Sequence, residues 1–273
     1  CRCLSRHASH IRALCRGVIP PIAVSGILVM LVFLGGDLST TVITGSVAMA
    51  LAFIGGIQLR YLLCIGLAFV VLGLTAVTVT PERFSRWMTF REPERYKQGD
   101  TYQLWHSQLA LGSGGWQGMG LTNSRMKRFY LPEANTDFIV AIIGEELGFI
   151  GVSLLVVLYA LLVVSALSLA VGAADREGML LCAGVAVYFG LNAVINLGVV
   201  GGLLPTTGVT APLISYGGSS MVASLLGVGL VLSVARIGEQ DRLEHLVRTV
   251  RVEPRRERLY RHTDTAGQPP DSP

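Results

Sequence analysis

Six long apolar stretches, separated by short polar connections and one extended polar segment, leave this chain few ways to fold. A run of about 20 apolar residues matches the hydrocarbon thickness of a bilayer. Spans read at Val18–Leu34, Leu38–Ile57, Tyr61–Val79, Phe138–Val171, Met179–Leu204 and Leu213–Val234. The apolar text from Val18 to Leu59 is too long for one crossing. It breaks at Gly35-Gly36-Asp37, where paired glycines and an acid favour a turn. Hydrophobic residues make up 51% of the 273 and charged residues 15%, with mean hydropathy +0.56, an excess that a water-soluble domain of this size does not need. The expected fold class is an all-α polytopic membrane protein, with about six transmembrane helices and one long extracytoplasmic loop. The expected divisions are a cytoplasmic segment at 1–17, three membrane helices at 18–79, the outer loop at 80–137, three more helices at 138–237, and a cytoplasmic tail at 238–273. The tail is basic and Pro-rich toward its end and is expected to be disordered.

Arginine sets the orientation. Arg2, Arg6, Arg12 and Arg16 precede the first span, eight arginines from Arg236 to Arg261 follow the last, and Arg60 and Arg176 mark two short connections. The loops around Asp37 and Pro205–Pro212 carry neither Lys nor Arg, so the positive-inside rule puts both termini in the cytoplasm. The segment from Thr80 to Asp137 holds eight basic residues but is long and also acidic, and long loops weigh less in that rule. The net charge of +4 fits contact with anionic lipid head groups and needs no nucleic acid. Of five cysteines, none lies in the outer loop, so no disulfide framework is implied. The chain begins with Cys1, and a truncated or processed start is expected.

The outer loop ends in Tyr130-Leu-Pro-Glu-Ala-Asn-Thr-Asp137, directly before an apolar span. Asp137 thus stands at the water interface, where an acid is a functional candidate because charge near hydrocarbon is costly. A second reading is open: Thr136 and Asp137 are good helix caps, and a carboxylate there suits the helix dipole. Arg125, Lys127 and Arg128 precede Asp137 by nine to twelve residues. They read either as a solvated face or as the seat of an anionic head group. Glu133 reads as a second carboxylate or as the partner of one of these cations. Gly112-Ser-Gly-Gly-Trp-Gln-Gly-Met-Gly120 fails the dinucleotide and phosphate-loop patterns, and reads as a compact re-entrant or surface loop needing tight turns, or as direct ligand contact.

On an ideal helix, Gly144, Gly148 and Gly151 fall within about 40° of Asp137, a face that admits a close helix neighbour. Glu145 lies about 80° and Glu146 about 180° from Asp137 on the same wheel. At their depth each must be paired, protonated or beside a wet cavity, and no cation in a neighbouring span is an obvious partner. Asn192 and Asn196 are placed to bond across helices. Leu204-Pro-Thr-Thr-Gly208 and Pro212-Leu-Ile-Ser-Tyr-Gly-Gly-Ser-Ser220 form a broken, hydroxyl-rich entry to the final span, which implies an interior cavity. Metal-spaced cysteines, His-x-x-x-His and serine-elbow patterns are absent from the sequence.

Read together and in order, Tyr102-Gln103-x-x-x-Ser107, Gly-x-Gly-Leu-x-Asn-Ser, Tyr-Leu-Pro-Glu-Ala-x-Thr-Asp-Phe-Ile, Ile-Gly-Glu-Glu-Leu-Gly and Ile-Ser-Tyr-Gly-Gly-Ser-Ser closely resemble the SEDS family (shape, elongation, division and sporulation). The likeness runs from about Gly17 to Arg236, and Asn-Ser-Arg with Leu-Pro-Thr-x-Gly is closer to the division members than to the elongation members. The resemblance implies a partial family fold, the last six of ten spans, with four expected upstream of Cys1. Three departures stand out: the family's Pro-Asp-Leu-Gly-Thr reads Gly36-Asp-Leu-Ser-Thr40, with Asp37 kept, Asn135 replaces the usual His, and Thr207 stands where many division members carry Lys.

The resemblance also implies a peptidoglycan glycosyltransferase that polymerises lipid II in the bacterial cytoplasmic membrane at the division septum. Asp137 matches the family's essential aspartate and would serve as general base. Arg125, Lys127 and Arg128, or a divalent cation (Mg or Mn) shared with Asp137, would face the pyrophosphate. Tyr102, Gln103, Ser107, Glu133, Ser215 and Ser219 would position substrate, while Glu145, Glu146, Asn196 and Asp37 would be cavity or structural polar groups. Expected partners are lipid II, the growing lipid-linked strand, a class B penicillin-binding protein and other divisome proteins, with no organic cofactor. A lipid II flippase, or a scaffold recruiting the penicillin-binding protein, is the alternative.

Overall fold

The computed structural model describes residues 19–80, 100–126 and 136–265. Regular structure among the described residues is helical: α1 Ile19–Leu34, α2 Leu38–Ile54, α3 Leu59–Val79, α4 Asp100–Gly114, α5 Ile139–Val171, α6 Arg176–Val200 and α7 Gly218–Thr265. Helices α3, α5 and α6 and the Gly218–Glu244 part of α7 are long and apolar enough to cross a membrane, and α1 and α2 are shorter apolar helices. This is the expected all-α polytopic architecture. The expected turn at Gly35-Gly36-Asp37 is present. Gly36 takes a positive φ of 85°, and Asp37 caps α2 by accepting from the Thr40 amide at 2.9 Å and the Thr40 hydroxyl at 2.6 Å. Asp175 caps α6 in the same way through the Gly178 amide at 3.1 Å, with Glu177 in the first turn complementing the helix dipole.

Contacts at the helix termini sort the connections onto two ends of the bundle. At one end the Arg176 guanidinium donates to Gly55 O at 2.6 Å, and a methyl added to Gly178 would come within 2.8 Å of Val234 in α7. At the opposite end the Ser39 hydroxyl donates to Thr207 O at 2.6 Å, joining the start of α2 to the loop that follows α6. Asp37, Asp137 and the 201–217 loop therefore share one end, and Arg60, Arg176 and Arg236 lie toward the other. The centre is the α5–α6 pair, where Val140, Ala141, Ile142, Leu155 and Tyr159 pack with Ala193, Val199 and Val200. Leu63, Leu67 and Leu72 of α3 remain exposed, as a face toward hydrocarbon requires.

Four features depart from the sequence reading. Within the segment 80–137, read as a loop, α4 forms and packs on α5 and α6. The helical part of the last span starts at Gly218 rather than Leu213, because side chains of other helices hold the preceding backbone in an irregular path. In the tail, α7 continues to Thr265, whereas disorder was expected from 238; Glu239, Gln240, Arg242, Leu243 and Glu244 all favour helix and sustain it past the last apolar turn.

The fourth concerns α5, which is not a continuous wheel. Gly148 sits at φ 67° and ψ −161°, a conformation open essentially to glycine alone, and divides the helix. The glycine string after α4 fills this break with main-chain bonds. Met119 N and Gly120 N donate to Glu145 O and Glu146 O at 2.9 and 3.0 Å, and Phe149 N and Ile150 N donate to Gly115 O and Trp116 O at 2.8 and 3.3 Å. The string is the compact, tightly turned segment of the first of its two readings. Contact is close enough that a methyl on Gly114 would collide with Gly144 O, one on Gly118 with Glu146 O, and one on Gly148 with Gly118 N.

Gly148→Ala both strains the backbone and collides with Gly118. It is expected to destabilise the protein by at least about 2 kcal/mol, seen as a lower midpoint in thermal unfolding of the detergent-solubilised protein, while Gly73→Ala, with open space around it, leaves the midpoint near wild type.

Candidate functional site

Asp137 lies in the turn that leads into α5, half-buried. The N-cap of α5 is Phe138, one residue after Asp137. The main chain of Asp137 is held from α6. Asn196, 2% exposed, donates from Nδ2 to Asp137 O at 2.9 Å and to Val209 O at 2.6 Å. One residue earlier, Thr136 O accepts from the Ser215 hydroxyl at 2.6 Å, and the same hydroxyl accepts from the Ala211 amide at 2.7 Å.

The loop between α6 and α7 is tied at four points. Ser39 of α2 donates to Thr207 O, Asn196 of α6 to Val209 O, Tyr159 of α5 to Pro212 O at 2.7 Å, and Ser215 closes the loop on Thr136. These bonds satisfy backbone that no helix satisfies, the condition for irregular chain at membrane depth. They also lay Gly208, at φ 68°, beside the acid: a methyl on Gly208 would stand 3.6 Å from Asp137 Oδ2. Two buried oxygens, Asn196 Oδ1 and Thr207 Oγ1, have no hydrogen-bond partner among the described residues, so the interior next to Asp137 keeps unused polar capacity.

Glu145, 1% exposed, finds its partners in the loop rather than in another span. It accepts from the Ser124 hydroxyl, from Arg125 N at 3.0 Å and from Met126 N at 3.4 Å. The Arg125 side chain is exposed. Glu146 points elsewhere, with Oε1 buried and no partner among the described residues. Asp37 is an N-cap, and Ser107 is fully buried, donating to Leu104 O at 2.8 Å and to Val200 O at 3.4 Å, so its hydroxyl joins α4 to α6. Tyr102 stacks on His106 at a centroid distance of 3.9 Å, and His106 Nδ1 lies 2.8 Å from Tyr102 O. Gln103 is half-buried on α4, and Ser219 is exposed in the first turn of α7. Asn192 bonds Tyr188 O within its own helix at 2.8 Å, unlike Asn196. Lys127, Arg128 and Glu133 lie outside the described residues.

The structure thus brings Asp137, Asn196, Ser215, Thr207 and Gly208 together. Sequence reasoning missed Ser39, Ser124, Tyr159 and Gly208; Ser39, Ser124 and Gly208 stand inside the quoted motifs, while Tyr159 carries no local signal. Among the described residues no three His, Cys, Asp or Glu side chains converge on one point. Asp137 alone offers one carboxylate, a donor set that suits a Mg²⁺ ion only when substrate phosphates supply other ligands. Among the described residues, the arrangement is therefore a carboxylate on a main chain held by Asn196, beside polar groups and irregular backbone.

The model of the FtsW/RodA/SpoVE family, described as cell cycle protein, matches residues 1–240. The chain belongs to this family. A relative from Idiomarina loihiensis, named probable peptidoglycan glycosyltransferase FtsW, is 38% identical over 234 residues, 85% of this chain and 57% of that protein. Stage V sporulation protein E of Bacillus subtilis is 37% identical over 237 residues, 85% of this chain and 64% of that one. The chain spans about three-fifths of the length of the curated relatives it matches. Among solved structures it is similar to a chain described under "Structural coordination of polymerization and crosslinking by a peptidoglycan synthase complex", at 30% identity and TM-score 0.67, covering 85% of this chain and 66% of that one. It is also similar to the rod shape determining protein RodA of Thermus thermophilus, at 29% identity and TM-score 0.53, covering 84% and 60%.

Asn196→Ala removes two buried bonds and leaves two carbonyls without their donor. The expected loss of stability is about 2–4 kcal/mol, against about 1 kcal/mol for Tyr159→Phe, measured by denaturant unfolding in one detergent.

Proposed function

We propose that this chain carries the reaction centre of a peptidoglycan glycosyltransferase that polymerises lipid II into glycan strands, with Asp137 as general base. The observation that carries the reading is the hold on the chain at Asp137: Asn196 fixes its main chain, Ser215 fixes that of Thr136 beside it, and its carboxylate stands beside bare glycine backbone. A base must be held in place at the proton it takes. The names carried by the similar proteins, glycosyltransferase and peptidoglycan synthase complex, support the substrate class.

In this reaction the acceptor sugar's 4-hydroxyl attacks the donor's anomeric carbon. A new glycosidic C–O bond forms, the bond from the anomeric carbon to pyrophosphate breaks, and the hydroxyl proton passes to Asp137. Glycoside hydrolases need an acid for the leaving group as well. Lipid pyrophosphate leaves already anionic, so a base and neighbouring positive charge suffice. Arg125, with Lys127 and Arg128 of the same cluster, would supply that charge. Asp137 would be the residue to hold a Mg or Mn ion, which would supply Lewis-acid stabilisation of the leaving group. The setting is the bacterial cytoplasmic membrane at the septum, the Asp137 end facing outward and the Arg60, Arg176 and Arg236 end facing the cytoplasm, in keeping with the positive-inside rule. A class B penicillin-binding protein is the partner that would cross-link the strands.

The test is lipid II polymerisation by the full-length protein with its transpeptidase partner, resolved as strands on a gel. Asp137→Asn, still folded and partner-bound, is expected to lower strand formation at least about 100-fold. Equal strand formation by both proteins would remove Asp137 as base. No strands from a folded wild-type complex would turn the reading toward a lipid II flippase or a scaffold.

A further inference from the structure

The break in α5 is already closed by four main-chain bonds from residues 115–120, so holding the helix does not explain why a carboxylate is buried at position 145. Burying a charge is costly unless strong donors meet it. Among the described residues, the donors that meet the Glu145 carboxylate come from one turn: the Ser124 hydroxyl and the amides of Arg125 and Met126. What the carboxylate holds is therefore this turn, against α5 about two turns from the helix entry at Asp137. The exposed charged side chain that the turn presents is Arg125.

We propose that Glu145 is a positioning residue that sets Arg125, through its backbone, to receive the anionic pyrophosphate group of the lipid-linked substrate. The proposal rests on the glycosyltransferase reading for its substrate class, and it assigns Glu145 no contact with substrate. Glu145 acts as a bracket: α5, which directly follows Asp137, also carries the acceptor that fixes the Arg125 turn, so one helix links the base and the cation. A carboxylate suits the task because it accepts at both oxygens. In Glu145→Gln an NH2 group faces the same donors, so the turn loses bonds and Arg125 its fixed seat.

The test is a double-mutant cycle on binding of undecaprenyl pyrophosphate to the full-length protein in nanodiscs. Arg125→Ala and Glu145→Gln are each expected to weaken binding about tenfold, and Ser124→Ala, which removes one of three donors, about threefold. Because Glu145 acts through Arg125, the double variant should bind within about twofold of Arg125→Ala alone. Multiplying effects, near a hundredfold in the double variant, would overturn the proposal, as would wild-type affinity in either single variant. A purely structural role would lower stability without this non-additivity. If Glu145→Gln fails to fold, Ser124→Ala combined with Arg125→Ala closes the same cycle. Because binding is read and not turnover, a wild type that binds the probe but makes no strands would remove the glycosyltransferase reading and leave the bracket standing. A wild type that does not bind the probe would remove the bracket.

Discussion

Hydrocarbon offers no hydrogen bonds, so every departure from helix within a membrane protein must find its partners inside the protein. Two such departures shape this chain. At Gly148 the helix α5 gives up its regular path, and carbonyls and amides on both sides are taken up by the glycine string 115–120. Between α6 and α7 the backbone runs irregularly and is held by Ser39, Tyr159, Asn196 and Ser215, one tie from each of α2, α5 and α6 and one from the loop itself. Without the first set of bonds the α5 break is not tolerable; without the second, nothing keeps Gly208 beside Asp137.

Both irregular segments belong to the end of the bundle that carries Asp37 and Asp137. The other end is built from short capped connections, such as Asp175 on Gly178 N, and from a cation on a helix C-terminus, Arg176 on Gly55 O. The asymmetry is physical. Short turns complete helices and leave no spare polar groups, whereas long irregular connections need many side-chain partners and collect them around one spot. A functional carboxylate is accommodated most readily where such a polar frame already exists. Asn196 belongs to both the frame and the site, since one amide group holds the main chain of Asp137 and that of Val209.

Some of the site was legible before the structure, and some was not. Asp137 was singled out by position, an acid at the start of an apolar span. Asn196 and Ser215 were flagged as polar groups in apolar text. Their bonding partners were not visible, because partners such as Tyr159 and Pro212, or Asn196 and Asp137, lie 53 and 59 residues apart and share no local pattern. The helix wheel drawn through Asp137 holds only as far as Gly148, where Gly144 and Gly148 do meet close neighbours in Leu111 and Gly118. It assumes constant rotation per residue, and a single glycine at positive φ resets that rotation. The partners of Glu145 were hidden for a related reason: they are a hydroxyl and two loop amides, which carry no charge and stand about twenty residues away in the chain.

Apolar run length, glycine pairs and arginine placement determined by themselves that the chain is helical and polytopic, that it turns at Gly35-Gly36, and that a long polar segment leads into Asp137. Those features are local, because bilayer thickness and turn chemistry act on contiguous residues. The tertiary structure alone decided that α4 forms inside the long segment and that the glycine string mends a broken helix. It also decided that Glu145 anchors the Ser124–Met126 turn and that a loop after α6 closes over the start of α5. Each of these rests on hydrogen bonds between residues distant in the chain, which exist only once the helices have packed.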